Sequence, residues 1–252
     1  MIDGVCWEYI SAGDHAQALL LLPGGPGRGE TSFQYILAFE SDYRVIAPSY
    51  PACITAVDAL VDGLVMLLHA EGIERTHVLG GSYSGMIAQC LLRRYPELVD
   101  RLVLSDTGTP NVRRAGRTRL LLGCIGVLPF GVVRALLKLG TYAFVHPMGT
   151  DRGFWQHYFH ALLDGLVHDD LQARLEVAID IDANKHFTPW AAPDWDEAHV
   201  DVPDLDLVMP HNAAGLDDRA LDIAAQASAA WEAAVCWDDE YSVKRLAEVR
   251  AV

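Results

Sequence analysis

The chain has 252 residues and a mass of 27.6 kDa, and 51% of its residues are hydrophobic. That length and apolar content support one or two domains around a sizeable core and exclude a largely disordered chain. A formal net charge of −15 repels phosphate backbones and anionic headgroups, so neither nucleic acid nor a membrane is expected as a partner.

The charge is uneven: Asp194 to Val252 holds 14 acidic and 4 basic residues, which reads as solvated surface. Five cysteines, Cys6, Cys53, Cys90, Cys124 and Cys236, are scattered without paired spacing, arguing against a disulfide framework or a zinc site. The start, Met1 to Val5, lacks the basic and apolar stretches of a secretory signal. Leu120 to Val133, the longest apolar run, contains Pro129 and falls short of the roughly 18–20 residues that a membrane span needs. A cytoplasmic, soluble protein is expected.

In chain order, Val5 to Ile10 is compatible with a leading antiparallel strand. Ala18 to Leu22 is a continuous apolar run ended by Pro23-Gly24-Gly25, and Arg44 to Ala47 stops at Pro48. His77 to Leu79 stops at Gly80-Gly81, and Leu102 to Leu104 runs into Ser105-Asp106. Short apolar runs alternating with helical patterns predict parallel strands buried on both faces. One predicted helix has Thr55 as its cap, Asp58 in its first turn, an inward face of Val57, Leu60, Leu64 and Leu68, and Gly72 beyond its end. A second spans Tyr83 to Tyr95 and is stopped by Pro96. From Asn111 to His199 helical patterns dominate, including Val132 to Leu139 and Phe154 to Leu166. Strand signals return at Leu205 to Met209 and Ala233 to Trp237, with helices at Asp217 to Ala230 and Ser242 to Val249.

Gly80-Gly81-Ser82-Tyr83-Ser84-Gly85 falls between a short strand and a helix. A serine there takes positive φ in a sharp turn, which requires small residues two positions to either side; Gly80 and Ser84 satisfy that. The turn lifts the Ser82 hydroxyl above the sheet and points the free N–H groups of the next helix at whatever reacts there. The segment has neither a P-loop lysine nor dinucleotide-fingerprint spacing. Leu22-Pro23-Gly24-Gly25-Pro26-Gly27 follows the first buried strand, and its glycine amides can meet the serine turn. The N–H groups of Gly25 and Tyr83 are the candidate oxyanion donors.

These residues, with Tyr43 to Pro48 and Arg94 to Leu104, resemble the α/β-hydrolase fold. The glycine turn resembles the maspardin-like branch in carrying Pro23 where a histidine is usual, and it is also similar to prolyl-aminopeptidase-like hydrolases. The resemblance implies a mostly parallel sheet flanked by helices. Residues 1–110 and 200–252 would form the core, with a helical lid at 111–199 inserted in a single domain. It also implies a serine nucleophile, an acid after the post-lid strand and a histidine beyond the last strand.

The chain departs from that pattern. The post-lid strand ends Met209-Pro210-His211-Asn212, with no acid before Asp217, and no histidine follows the last predicted strand. Of ten histidines only His211 is placed by topology at the strand edge that carries Ser82, and Asp106 sits at the same edge. Ser82–His211–Asp106 is therefore the rearranged triad to be considered, against a loop histidine and a turn-capping aspartate. The departure leaves two functions open: a serine hydrolase acting on an ester, thioester or amide of a small apolar molecule, or a non-hydrolytic relative (lyase, cyclase, isomerase or binding module). An unassisted serine hydroxyl is a poor nucleophile.

Phe154, Trp155, Tyr158 and Phe159 share one helix face. It reads as packing or as the wall of a substrate pocket, in which case the substrate is apolar or aromatic. His157 and His160 have a spacing that a metal can use, and Arg113, Arg114, Arg117 and Arg119 form a basic patch. Neither pattern calls for a metal or any other cofactor.

Overall fold

The computed structural model describes residues 4–105, 107–145 and 152–185. Five strands form one sheet: β1 (Glu8–Ala12), β2 (Ala18–Leu22), β3 (Arg44–Ser49), β4 (Thr76–Gly81) and β5 (Val99–Ser105). Their order is β1-β3-β2-β4-β5, with β1 antiparallel to β3 and every other pair parallel. The expected leading strand begins later than Val5 and runs to Ala12, as an edge strand paired only with β3. Trp7, just before it, is instead buried against Gly63, where a Cβ would collide with the indole.

Each buried run splits its side chains between two layers. Leu20, Leu22, Ile46, Val78 and Leu104 pack with α2 (Val57–Ala70) and α3 (Tyr83–Arg94). Leu19, Leu21, Val45, Leu79 and Val103 face α1 (Phe33–Phe39), which brings Ile36 and Phe39. Unbroken apolar runs are what a strand covered on both sides requires. All five residues of β2 are buried.

Beyond β5 come α4 (Val112–Val127), α5 (Phe130–Val145), α6 (Arg152–Gly165) and α7 (His168–Asn184). Pro129 divides the long apolar run into the end of α4 and the start of α5, because its ring cannot continue a helix. The expected strands and helices between Leu205 and Val249 lie outside the described residues.

α7 anchors these helices to the sheet layer. Val177 and Ile181 enter the core with α2, and Lys185 Nζ reaches both carboxylate oxygens of Asp58 at 2.7 and 2.8 Å. The first N–H of α2, on Val57, donates to Asp180 Oδ2 of α7 at 2.8 Å. This corrects the expected cap: the capping position is Ala56, and a carboxylate 123 residues away does the work assigned to Thr55. Helix N-termini take any oriented acceptor, local or distant. At the root of α4, Asp182 accepts from the Asn111 N–H (3.0 Å) and from Arg114 Nε and Nη2 (2.7 and 2.6 Å).

No described helix is long and apolar enough to cross a membrane.

Candidate active site

Register places two turns side by side. β2 and β4 are adjacent and parallel, with Leu22 opposite Gly80, so the glycine turn and the serine turn leave the same sheet edge. Ser82 joins β4 to α3 with φ 50° and ψ −119°, the only positive φ at a non-glycine among the described residues. Such a backbone costs about 1–3 kcal/mol and persists only where the surroundings impose it.

The surroundings here are specific. The Ser82 N–H donates to Ser105 O at 2.9 Å, and Thr107 Oγ1 donates to Ser82 O at 2.7 Å, so the last residue of β5 and the segment after it hold both backbone groups. The Gly81 N–H donates to Ser84 Oγ (3.0 Å), which donates back to Gly81 O (2.9 Å). A Cβ at Gly80 would lie 2.8 Å from Ser84 O, and one at Gly85 would lie 2.5 Å from Thr107 Oγ1. Both positions exclude larger residues for reasons of space. Ser82 itself is exposed, and among the described residues no group hydrogen-bonds to its Oγ.

Gly24 to Gly27 forms a tight turn closed by Gly27 N–H to Gly24 O at 2.9 Å, and Tyr50 N–H donates to Gly27 O at 2.7 Å. Gly27 has φ 70°, and a Cβ there would meet Arg174 Cδ at 2.9 Å. Gly25 is exposed. Tyr83 begins α3, so its N–H has no acceptor within the helix. Its phenol lies beside Tyr50, ring centroids 6.4 Å apart, and burial raises the pKa of both phenols.

His211 and Asp106 lie outside the described residues. No described histidine hydrogen-bonds to the turn. His157 Nδ1 lies 2.7 Å from Gly153 O and His160 Nε2 meets Gln156, while His77 is buried beside Asp100. Phe154 and Trp155 are buried and, with Tyr158 and Phe159, pack on Phe33 at the start of α1. Of the basic patch, Arg114 is committed to Asp182.

Three residues escaped the sequence reading: Thr107, Tyr50 and Arg174. Thr107 had a signal in Gly85, since a glycine inside a helix often marks a close approach. The other two meet only through the fold.

Sheet order, flanking helices and the strand–turn–helix at Ser82 define a protein of the α/β-hydrolase fold. Residues 17–122 match the family described as the alpha/beta hydrolase fold. The chain is 34% identical over 113 residues to 2-hydroxy-6-oxo-6-phenylhexa-2,4-dienoate hydrolase of Comamonas testosteroni, covering 40% of this chain and 40% of that protein. It is 29% identical over 121 residues to epoxide hydrolase 4 of Homo sapiens, covering 44% and 33%. The matches thus span about a third to two fifths of those relatives. Among solved structures, a hydrolase from Pseudomonas aeruginosa PA01 superposes with a TM-score of 0.59 at 18% identity, covering 70% of this chain and 69% of that one.

Proposed function

We propose that the chain is a hydrolase in which Ser82 attacks an ester, thioester or amide of a small, apolar or aromatic molecule. The observation that carries this reading is the forced positive φ of Ser82, held from both sides by Ser105 and Thr107. The hydrolase relatives support the same class. His211 takes the Ser82 proton and returns it to the leaving group, Asp106 orients His211, and the Gly25 and Tyr83 N–H groups hold the developing oxyanion. The segment 111–199 serves as a lid over a core of residues 1–110 and 200–252. In that lid the half-buried Tyr158 and Phe159 present the surface nearest to substrate, with the buried Phe154 and Trp155 backing them.

Labelling with a fluorophosphonate tests the assignment. Stoichiometric modification is expected, abolished in Ser82→Ala and slowed about a thousandfold or more in His211→Ala, since a serine without its base is barely nucleophilic. A second reading, a non-hydrolytic protein using the same turn for binding or isomerisation, is favoured by one fact: no described imidazole bonds to Ser82 Oγ. Absence of labelling together with ligand binding that survives Ser82→Ala selects it.

A further inference from the structure

Near the serine turn several buried donors lack an acceptor among the described residues. Arg174 of α7 is only 4% exposed and Tyr50, after β3, only 5%. The Arg174 guanidinium lies over the Tyr50 ring at 5.3 Å and spends one N–H, on Nη2, on Pro51 O at 2.7 Å. Among the described residues its Nε and Nη1 have no hydrogen-bond partner, and neither do the buried hydroxyls of Tyr50 and Tyr83. A cation removed from water without a counter-charge is costly, and here desolvation lowers the arginine's pKa. Arg174 and Tyr50 line a cavity of about 320 Å³ together with Gly27, Ser49, Cys53 and Asp170. Pro26, Gly27 and Ser49 place the cavity at the carboxyl ends of β2 and β3, the edge from which the serine turn also leaves, although Ser82 itself does not line it. Asp170 contributes an attraction to Arg174 but no hydrogen bond. Arg28, which also lines the cavity, is already paired with Glu30 at 2.7 Å.

We propose that this cavity is a carboxylate subsite in which Arg174 and the Tyr50 hydroxyl bind an acidic group of the ligand. A carboxylate is an acceptor-only group with several lone pairs, and it supplies what Arg174 and the Tyr50 phenol lack among the described residues. As a statement about substrate it rests on the reading of Ser82 given above: the acidic end seats against Arg174 while the bond to be broken lies toward Ser82. As a statement about binding it stands without turnover.

Calorimetric titration of the full chain with benzoate, its uncharged isostere benzamide and inorganic phosphate separates the two. Benzoate is expected to bind the wild type and Ser82→Ala alike, and at least about tenfold more tightly than benzamide or phosphate. Arg174→Gln should weaken benzoate at least about tenfold, as loss of a charged hydrogen-bond donor does. Tyr50→Phe keeps the ring beneath Arg174 and the fold, and should weaken benzoate about threefold or more while leaving benzamide unchanged. Equal affinity for benzoate and benzamide, tighter binding of phosphate, or unchanged benzoate affinity in Tyr50→Phe and in folded Arg174→Gln overturns the proposal. Loss of fluorophosphonate labelling with benzoate binding intact would remove the hydrolase and leave the subsite.

Discussion

At the carboxyl edge of the sheet both backbone polar groups of Ser82 are bonded, Gly80 and Gly85 have no room for a side chain, and Ser84 is buried. Along α4 and the start of α5 Leu120 is 72% and Val127 85% exposed, and a Cβ at Gly116, Gly123, Gly126 or Gly131 would meet nothing within 4 Å. One region is fixed by its neighbours at nearly every atom; the other is held by one face and its root. Sequence tolerance should follow that difference, because the cost of a substitution is set by what surrounds it rather than by the residue type.

The largest effect is expected at the turn. Gly85→Val drives its Cβ into Thr107 and should cost about 3 kcal/mol, read as a drop in the denaturant midpoint with unchanged slope. A glycine-to-valine change at Gly123 of α4, where space is open, should stay within about 1 kcal/mol. If the two variants lose equal stability, the contrast between the regions is false. Asp182→Ala comes next. It strips a buried carboxylate from Arg114 and the Asn111 N–H, and about 2–3 kcal/mol should go, the full buried-pair penalty being softened because Arg114 reaches solvent. Proteolysis should then open α4 and α5 before the sheet. Thr107→Val keeps the shape and removes the hydroxyl that holds Ser82 O. About 1 kcal/mol of stability is expected to be lost, with a larger proportional loss in the rate of fluorophosphonate labelling. The smallest effect belongs to Leu120→Ser and Val127→Ser, within about 0.5 kcal/mol in thermal melts.

The same contrast separates what the sequence disclosed from what it hid. β2 to β5 were legible because each holds a short apolar run that calls for burial. The expected stops at Pro48 and Gly80 were too early: β3 continues through Pro48 to Ser49, β4 through Gly80 to Gly81, and β5 begins before its apolar run, at Val99. The serine turn was legible because steric need is written in the glycine spacing. The cap of α2 was misread because its acceptor comes from α7, a partner that no window around Thr55 contains. Arg174 and Tyr50 stayed hidden for the same reason: an isolated arginine in an amphipathic helix looks like surface until the fold buries it. His211 and Asp106, inferred from topology alone, await the chemistry proposed for them.

The grip of Asp182 on Asn111 and Arg114 has a further consequence. It joins the first turn of α4 to the last turns of α7, so the start of α4 and the end of α7 lie at nearly one point. A segment whose two ends meet can be exchanged for another of different length without disturbing the scaffold. Such a scaffold can therefore exchange the helices between those two points while the strained bend at Ser82 is inherited untouched.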